Sequence, residues 1–152
     1  VRAAGIDDID NILALYKEQF NYMADLQPQH FREGNQEASF IKAMIEKEDT
    51  EILIYETDSG IEGFVLIQEK EKAPFSFFVP HKYAYLMDII VTQSSRGTGC
   101  GRILMDSAKK WSADRNLDYI ELDVLFNNDN AVSFYKKYGF QDTRRVMHLP
   151  IE

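Results

Sequence analysis

The feature that most constrains the fold is an apolar run that ends in a glycine-rich turn and leads into a helical pattern. The run, Tyr85–Thr92, is rich in β-branched residues and contains a single carboxylate, Asp88. A continuous apolar stretch of this length predicts a strand that is buried on both faces. Three glycines at alternate positions follow, and a helical pattern then extends from Ile103 to about Arg115. The sequence therefore predicts a strand, a tight turn and a helix in direct succession.

The glycine-rich turn predicts a binding site for an anion. Glycine lets the backbone turn sharply and lets a ligand approach the main chain. The unpaired N–H groups and the positive dipole end of the following helix would face that ligand. The turn holds Gly97, Gly99 and Gly101, but it lacks the Gly-Lys-Ser/Thr of a P-loop and the Gly-x-Gly-x-x-Gly spacing of a dinucleotide fold. A phosphate-like group is expected here, and neither of those two nucleotide-binding motifs is present.

Composition indicates an ordinary globular chain. Its 152 residues are 45% hydrophobic and 28% charged, so we expect one domain over residues 1–152. We find neither an apolar run of membrane-spanning length nor a signal-like segment, and expect no membrane partner. The single cysteine, Cys100, excludes an internal disulfide and fits a reducing compartment, so we expect a cytoplasmic location. The three histidines and the cysteine lack metal-ligand spacing, so no metal is expected.

The charge is distributed unevenly along the chain. The net charge is −8, which argues against a nucleic-acid partner. Residues 1–75 carry a net charge of −9, whereas residues 76–152 carry +1. The acidic half could steer a cationic small molecule toward a site, and a purely solubilising surface is the alternative.

Hydrophobic periodicity predicts helices first, then an antiparallel hairpin, then alternating strands and helices. The predicted elements are a short strand at 1–4, helices near 9–20 and 36–48, strands 51–57 and 61–68, the central strand and helix described above, a strand Tyr119–Leu125, a helix between Asn127 and Gly139, and a closing strand Gln141–Ile151. This order predicts an α/β sheet of mixed direction. An aromatic cluster in the loop Glu69–Lys82 leaves a homodimer contact, a pocket lid and simple packing open.

Two segments carry a family resemblance. The turn Arg96-Gly-Thr-Gly-Cys-Gly101 fits the pattern Arg/Gln-x-x-Gly-x-Gly/Ala. The later segment Asn128-Asp-Asn-Ala-Val-Ser-Phe-Tyr135-Lys-Lys-Tyr-Gly139-Phe140 fits Asn-x-x-Ala-x-x-x-Tyr-x-x-x-Gly-Phe. The first resembles the pyrophosphate-binding loop of the GNAT superfamily of acyl-CoA N-acyltransferases, and the second resembles a signature of the same family. The motifs stand in the family's order with a predicted strand between them. The resemblance covers residues 84–140 and is only topological over residues 1–75.

The resemblance implies a fold and a cofactor. The fold would be a single mixed, mostly antiparallel sheet with a central splayed parallel strand pair, flanked by helices. Acetyl-CoA would be the co-substrate, and its pantetheine arm would enter between the central strand and Tyr119–Leu125. The main chain of Ile89, Ile90 and Val91 would pair with that arm like an added strand. The implied cofactor-binding residues of the turn and the later helix are Arg96, Gly97, Thr98, Gly99, Cys100, Gly101, Arg102, Asn128 and Tyr135.

The implied reaction is acetyl transfer to a primary amine of a small molecule or peptide by direct attack in a ternary complex. The Val91 amide would stabilise the oxyanion, and the Tyr135 hydroxyl would donate to the departing thiolate. A core role for Tyr135 is the alternative, because Ala131, Phe134 and Tyr138 share its helix face. A non-catalytic module that binds acyl-CoA in order to sense it also remains open. The acceptor is expected to be cationic.

The base that deprotonates the amine is left open between two carboxylates and water. Asp123 lies five residues before Asn128, where the ribosomal-protein alanine acetyltransferases carry a glutamate. Asp88 is a lone carboxylate in an apolar strand, where desolvation should raise its pKa. A structural role, as a hydrogen-bonded strand residue, is the alternative for each of them. A chain of water molecules could also take the proton.

Overall fold

A computed structural model describes residues 1–152 as one five-stranded sheet with helices on both faces. The strands are β1 (Arg2–Ala3), β2 (Thr50–Thr57), β3 (Gly60–Glu71), β4 (Lys82–Val91) and β5 (Ile120–Glu121), and the helices are α1 (Ile9–Leu26), α2 (Ala38–Glu46), α3 (Cys100–Asp114) and α4 (Asp129–Tyr138). The strands lie in the order β1-β2-β3-β4-β5. Every neighbouring pair is antiparallel except β4 and β5, which are parallel. The predicted mixed, mostly antiparallel sheet with one parallel pair is confirmed.

Two hydrophobic cores lie on opposite faces of this sheet. Phe64 and Leu66 of β3 pack with α1 and α2, whereas the alternating Val65 and Ile67 pack with α3. All four side chains are fully buried, as expected for a strand whose neighbouring residues point to opposite faces. The α1 and α2 side is called the α1 face below, and the opposite side is called the α3 face.

A β-bulge interrupts the pairing of β3 with β4. Leu66 pairs with Asp88, but the next residue, Ile67, pairs with Leu86, so Met87 is left over. Leu86 packs on the α3 face, while Met87 packs on the α1 face. Asp88 also contacts α1, so the bulge places two successive side chains on one face. Without the extra residue, strict alternation would turn Asp88 toward α3.

The parallel pair separates just before the bulge. β4 and β5 pair only at Ala84↔Ile120 and Tyr85↔Glu121. The prediction of a strand over Tyr119–Leu125 was therefore too long. Residues 122–125 have no sheet partner because β4 and β5 have already diverged, and Val124 is 37% exposed. A gap opens between the strands and leads toward the glycine-rich turn.

The prediction that Gln141–Ile151 closes the sheet is wrong in this structure. These residues form no strand, and their apolar side chains, including Met147 and Leu149, are at least 83% exposed. The segment touches the rest of the chain through side chains, for example through the Arg144–Glu121 ion pair at 3.3 Å. Apolar alternation predicts an extended conformation, but it does not supply a sheet edge to pair with, and the segment pairs with none here.

The helices include none that could cross a membrane. Even α1, with 18 residues, lacks the apolar character that a bilayer-crossing helix needs, and so do the other helices.

Candidate functional site

The turn before α3 presents a row of backbone amides that have no partner in the protein. Gly99 occupies the N-cap position in a left-handed conformation (φ 94°), and no side chain caps the helix. The first amide of this region that donates to a backbone oxygen is that of Ile103, which bonds the Gly99 carbonyl at 3.0 Å. The amides from Gly97 to Arg102 donate to no protein atom. Consecutive free N–H groups at a helix N-terminus bind anions, so this part of the predicted site has the expected form.

The sequence produces this turn through two different uses of glycine. Gly97 (φ 77°) and Gly99 (φ 94°) adopt backbone conformations that other residues rarely reach. Gly101 lies inside α3, where a Cβ atom would sit 3.5 Å from the Phe134 ring of α4. A Cβ at that distance would make an ordinary van der Waals contact, so glycine here leaves the first turn of α3 uncovered and does not relieve a clash. The Thr98 hydroxyl donates to the Ser95 carbonyl and holds the turn closed.

Helix α1 is tied to the turn from the other side. The Arg96 guanidinium lies over the Tyr22 ring at 5.3 Å, and its Nε donates to the Val91 carbonyl at 3.4 Å. Glu18 accepts a hydrogen bond from the Gln93 amide at 2.8 Å. The exposed Arg96 thus places a positive charge at the margin of the amide row, and α1 forms a wall of the site.

The edge of β4 that faces the gap offers main-chain groups. The Thr92 amide donates to the Glu62 carbonyl on the β3 side at 2.8 Å. Because successive residues of a strand direct their amides to opposite edges, the amides of Val91 and Ile89 face the gap. No strand pairs with them, since β5 has already diverged. The main chain of Ile90 faces β3 and pairs there, so only two of the three predicted residues offer free groups to the gap.

Asp88 lies on the α1 face beside the bulge. The Tyr16 hydroxyl donates to its Oδ2 at 2.6 Å, while Oδ1 has no protein partner and is not fully enclosed. Burial raises the pKa of Asp88 to about 6, and the bond from Tyr16 acts in the opposite direction. At neutral pH the group is therefore mostly ionised, yet it is basic enough to take up a proton.

Tyr135 of α4 packs with the α3-face core and is near enough to Asp88 to interact with its charge. Its ring is held between Phe134 and Phe140, with centroids at 5.5 and 5.6 Å. Burial, followed by the nearby Asp88 charge, raises the pKa of Tyr135 to about 12. Its hydroxyl keeps its proton near neutral pH, and it donates to no protein atom although it is not sealed from solvent. Asp88 and Tyr135, from a strand and a helix that are distant in sequence, thus interact electrostatically, although their side chains belong to opposite faces of the sheet.

Asp123, the other predicted base, has a different environment from Asp88. It is exposed and follows β5 on the diverging segment. The Tyr85 hydroxyl donates to its Oδ2 at 2.6 Å. Since Tyr85 pairs with Glu121 across the sheet, and Asp123 is two residues further, these side chains lie on the α1 face.

The side chain of Asn128 already makes hydrogen bonds within the protein. Its Oδ1 caps α4 by accepting from the Ala131 amide at 3.3 Å, and it also accepts from the Tyr22 hydroxyl at 3.3 Å. The neighbouring Asn127 donates to the Leu26 carbonyl at 2.8 Å. These bonds join the end of α1 to the start of α4 above the gap.

Cys100 contributes its backbone rather than its thiol. The side chain is 1% exposed and packs under the turn, where a Cβ on Gly63 would lie 3.2 Å from its Sγ. Burial raises the pKa of this thiol to about 11, so it stays protonated. No group of three His, Cys, Asp or Glu side chains in the structure is arranged to hold a metal ion.

Sequence reasoning missed Tyr16, the partner of Asp88. The residue falls at helical spacing with Ile12 and Leu15 and therefore reads as ordinary core. Its hydroxyl was the available signal, because a buried tyrosine hydroxyl needs a hydrogen-bond partner. The lone carboxylate of Asp88 on an apolar strand was a second signal, because it needs a hydrogen-bond donor.

Residues 9–140 match the Acetyltransferase (GNAT) family. The chain belongs to this family. It is 28% identical to an uncharacterized N-acetyltransferase of Archaeoglobus fulgidus over 95% of this chain and 92% of that protein. Among solved structures, a mutant of the BH1408 protein from Bacillus halodurans superposes with a TM-score of 0.95 at 23% identity and covers 99% of this chain and 98% of that one. Aminoglycoside N-acetyltransferase AAC(6')-Iy, solved in complex with CoA, superposes with a TM-score of 0.75 at 16% identity, covering 99% and 92%.

The buried carboxylate of this GNAT protein should reduce its stability. Folding raises the pKa of Asp88 from 3.8 to about 6, so the folded state binds a proton more tightly than the unfolded chain and loses stability as pH rises through that window. Asp88→Asn should therefore increase the free energy of unfolding by about 1–3 kcal/mol at about pH 8 and by much less near pH 4. Urea denaturation at both pH values measures this.

The exposed Asp123 supplies the matched control. Asp123→Asn should change the unfolding free energy by no more than about 0.5 kcal/mol at either pH. An Asp88→Asn variant that is no more stable than the wild type at the higher pH would contradict the assignment of Asp88 as a strained, desolvated carboxylate.

Proposed function

We propose that this protein transfers an acetyl group from acetyl-CoA to a primary amine of a small molecule or peptide, by direct attack in a ternary complex. The observation that carries the proposal is the electrostatic interaction of Asp88 with Tyr135 beside a strand edge that leads to a row of free amides. A module that only senses acyl-CoA needs the amides but has no use for a strained carboxylate opposite a free tyrosine hydroxyl. The family supports the enzyme reading, since the curated relatives carry N-acetyltransferase names.

Acetyl-CoA would extend from the turn into the gap. Its pyrophosphate would accept hydrogen bonds from the amides of residues 97–102, with Arg96 close by. The pantetheine arm would pair with the free main-chain groups of Ile89 and the free amide of Val91 as an added strand. On this path the thioester would lie near Asp88 and Tyr135.

The amine must lose its proton before it can attack. An alkylammonium has a pKa near 10, whereas the pKa of Asp88 is about 6, so the transfer is uphill but feasible at a desolvated site. The Oδ1 atom of Asp88 has no other partner and would accept this proton. Asp123 is less suited to the role, because it is exposed and already bonded by Tyr85.

The remaining steps need an N–H donor and an acid. A C–N bond forms, the carbonyl electrons move onto oxygen, and the Val91 amide would stabilise that oxyanion. The C–S bond then breaks, and the thiolate of coenzyme A takes a proton from the Tyr135 hydroxyl. The nitrogen releases its second proton toward solvent. Asp88 then loses the proton that it accepted and the Tyr135 phenolate regains one, so that the enzyme is restored and the products are an amide, free coenzyme A and one proton.

The acceptor would be cationic before it reacts. Asp88, Glu121 and Asp123 all lie on the α1 face beside the gap, and Arg144 is the one ion-pair partner among them. The net charge of −9 over residues 1–75 adds to this field. A reducing compartment such as the cytoplasm would suit both the thiol product and the free Cys100.

Turnover of acetyl-CoA against a panel of amines tests the proposal. The panel should pair each cationic amine with an amine of similar shape that is neutral at the assay pH, and thiol release should be read out. We expect turnover with at least one cationic primary amine and slower turnover with its neutral match. Coenzyme A binding by calorimetry without acceptor-dependent thiol release would instead support a sensing module.

Tyr135→Phe tests whether Tyr135 acts as a general acid or only packs in the core. The change keeps the ring and its packing against Phe134 and Phe140 and removes only the hydroxyl, which has no protein partner. We expect kcat to fall by roughly 10²-fold with nearly unchanged acetyl-CoA affinity. An acyl donor whose thiol has a lower pKa should reduce the defect, because its thiolate needs less help in leaving. Full activity with acetyl-CoA would contradict the acid role.

Gly99→Val tests the amide row. The side chain would enter the space where the pyrophosphate must approach, in a conformation that valine resists (φ 94°). We expect coenzyme A affinity to fall at least about tenfold while the fold survives the 1–3 kcal/mol typical of such strain. Gly60→Val is the matched control, because Gly60 (φ 110°) imposes similar strain in the β2–β3 turn. Equal affinities in the two variants would remove the turn from the site.

A further inference from the structure

Tyr16 is the one residue that hydrogen-bonds the Asp88 side chain. Its ring is 1% exposed and packs between Phe20 and Phe64, with centroids at 5.5 and 5.2 Å. A ring enclosed in this way cannot change rotamer without disrupting the core. The position of its hydroxyl is therefore set by the packing of α1 against the sheet.

The direction of the hydrogen bond is also fixed. Burial, and then the Asp88 charge, raise the pKa of Tyr16 far above its ordinary value, so the hydroxyl always keeps its proton and donates to Asp88. Gln36, in the loop between α1 and α2, lies near the hydroxyl and acts on the pKa of Tyr16 in the opposite direction.

No other group competes for Asp88. Tyr135 of α4 and Tyr85 of β4 are near enough to interact with its charge, and both remain protonated near neutral pH. The neighbouring positions on β3, Phe64 and Leu66, are apolar, as are the core residues of α2. Asp88 takes part in no ion pair. Its orientation and its affinity for a proton therefore depend on Tyr16.

We propose that Tyr16 is a positioning residue of the acetyl-transfer site, whose hydroxyl holds Oδ2 of Asp88 and leaves Oδ1 free for the ammonium group of the acceptor. The proposal rests on the proposed function, in which Asp88 is the base. A carboxylate held through one oxygen presents the other in a defined place, and an active-site base needs this preorganisation. The same bond stabilises the ionised form, so it keeps the base ready at neutral pH.

The pH profile of Tyr16→Phe tests the proposal. Loss of the donor removes the interaction that lowers the pKa of Asp88, so the base should stay protonated to higher pH. We expect the acid limb of kcat/KM for the amine to move upward by about one pH unit. We also expect kcat near neutral pH to fall roughly tenfold, while KM for acetyl-CoA stays unchanged. A Tyr16 that only supports the core would lower the melting temperature and leave the limb in place.

Tyr85→Phe is the matched control. It removes a hydroxyl that bonds the other carboxylate, Asp123, over the same distance of 2.6 Å on the same face. The acid limb of its kcat/KM profile for the amine should lie at the same pH as that of the wild type. A shifted limb in Tyr85→Phe with an unshifted one in Tyr16→Phe would overturn the proposal and make Asp123 the base. Gln36→Met provides a second variant, which should move the limb in the same direction as Tyr16→Phe but less.

A measurement without turnover keeps the two proposals apart. The Asp88 carboxyl carbon can be followed by NMR as pH changes, in the wild type and in Tyr16→Phe. We expect its titration midpoint to rise in the variant by the amount by which the acid limb moves. An unchanged midpoint would overturn the role of Tyr16 even in an active enzyme. If the wild type shows no turnover and the midpoint still rises in Tyr16→Phe, the proposed function is overturned but the role of Tyr16 is not.

Discussion

The β-bulge at Met87 is the constraint on which the rest of the site depends. One extra residue in β4 turns Asp88 from the α3 face to the α1 face, where Tyr16 can reach it. The same stretch of β4 loses its partner, because β5 pairs no further than Tyr85. A bulge bends and twists its strand, so both effects are consistent with one local irregularity. The gap, the carboxylate and the free amides of β4 therefore arise together.

The site combines strained parts with rigid support. Burial of an ionised carboxylate costs stability, and the exposed edge of β4 adds unpaired main-chain groups. Two separate hydrophobic cores, one on each face of the sheet, offset these costs. Helix α1 serves both purposes, since it fills the core on one face and ties the turn through Glu18 and Tyr22. Functional groups are thereby held on elements that cannot relax easily.

The sequence predicted the features for which local chemistry requires a particular residue. It predicted less well the features that depend on tertiary contacts. The turn with Gly97 and Gly99 and the helix capped by Asn128 were predictable, because backbone conformation and capping restrict residue choice locally. The bulge left no local pattern, since an apolar run looks the same with or without an extra residue. For the same reason the Tyr16–Asp88 bond, between residues 72 apart, was missed. The strand expected at Gln141–Ile151 failed because alternation does not specify a partner edge.

Hydrogen–deuterium exchange with and without coenzyme A tests most directly whether the gap and the amide row form one ligand site. The free amides of residues 97–102, and those of Ile89 and Val91, should exchange fast in the free protein because nothing accepts their hydrogen bonds. Saturating coenzyme A should slow exchange in both stretches together, while the β2–β3 turn around Gly60 stays unchanged. Slowing confined to other parts of the chain, or no slowing in either stretch at saturation, would contradict this account of the site.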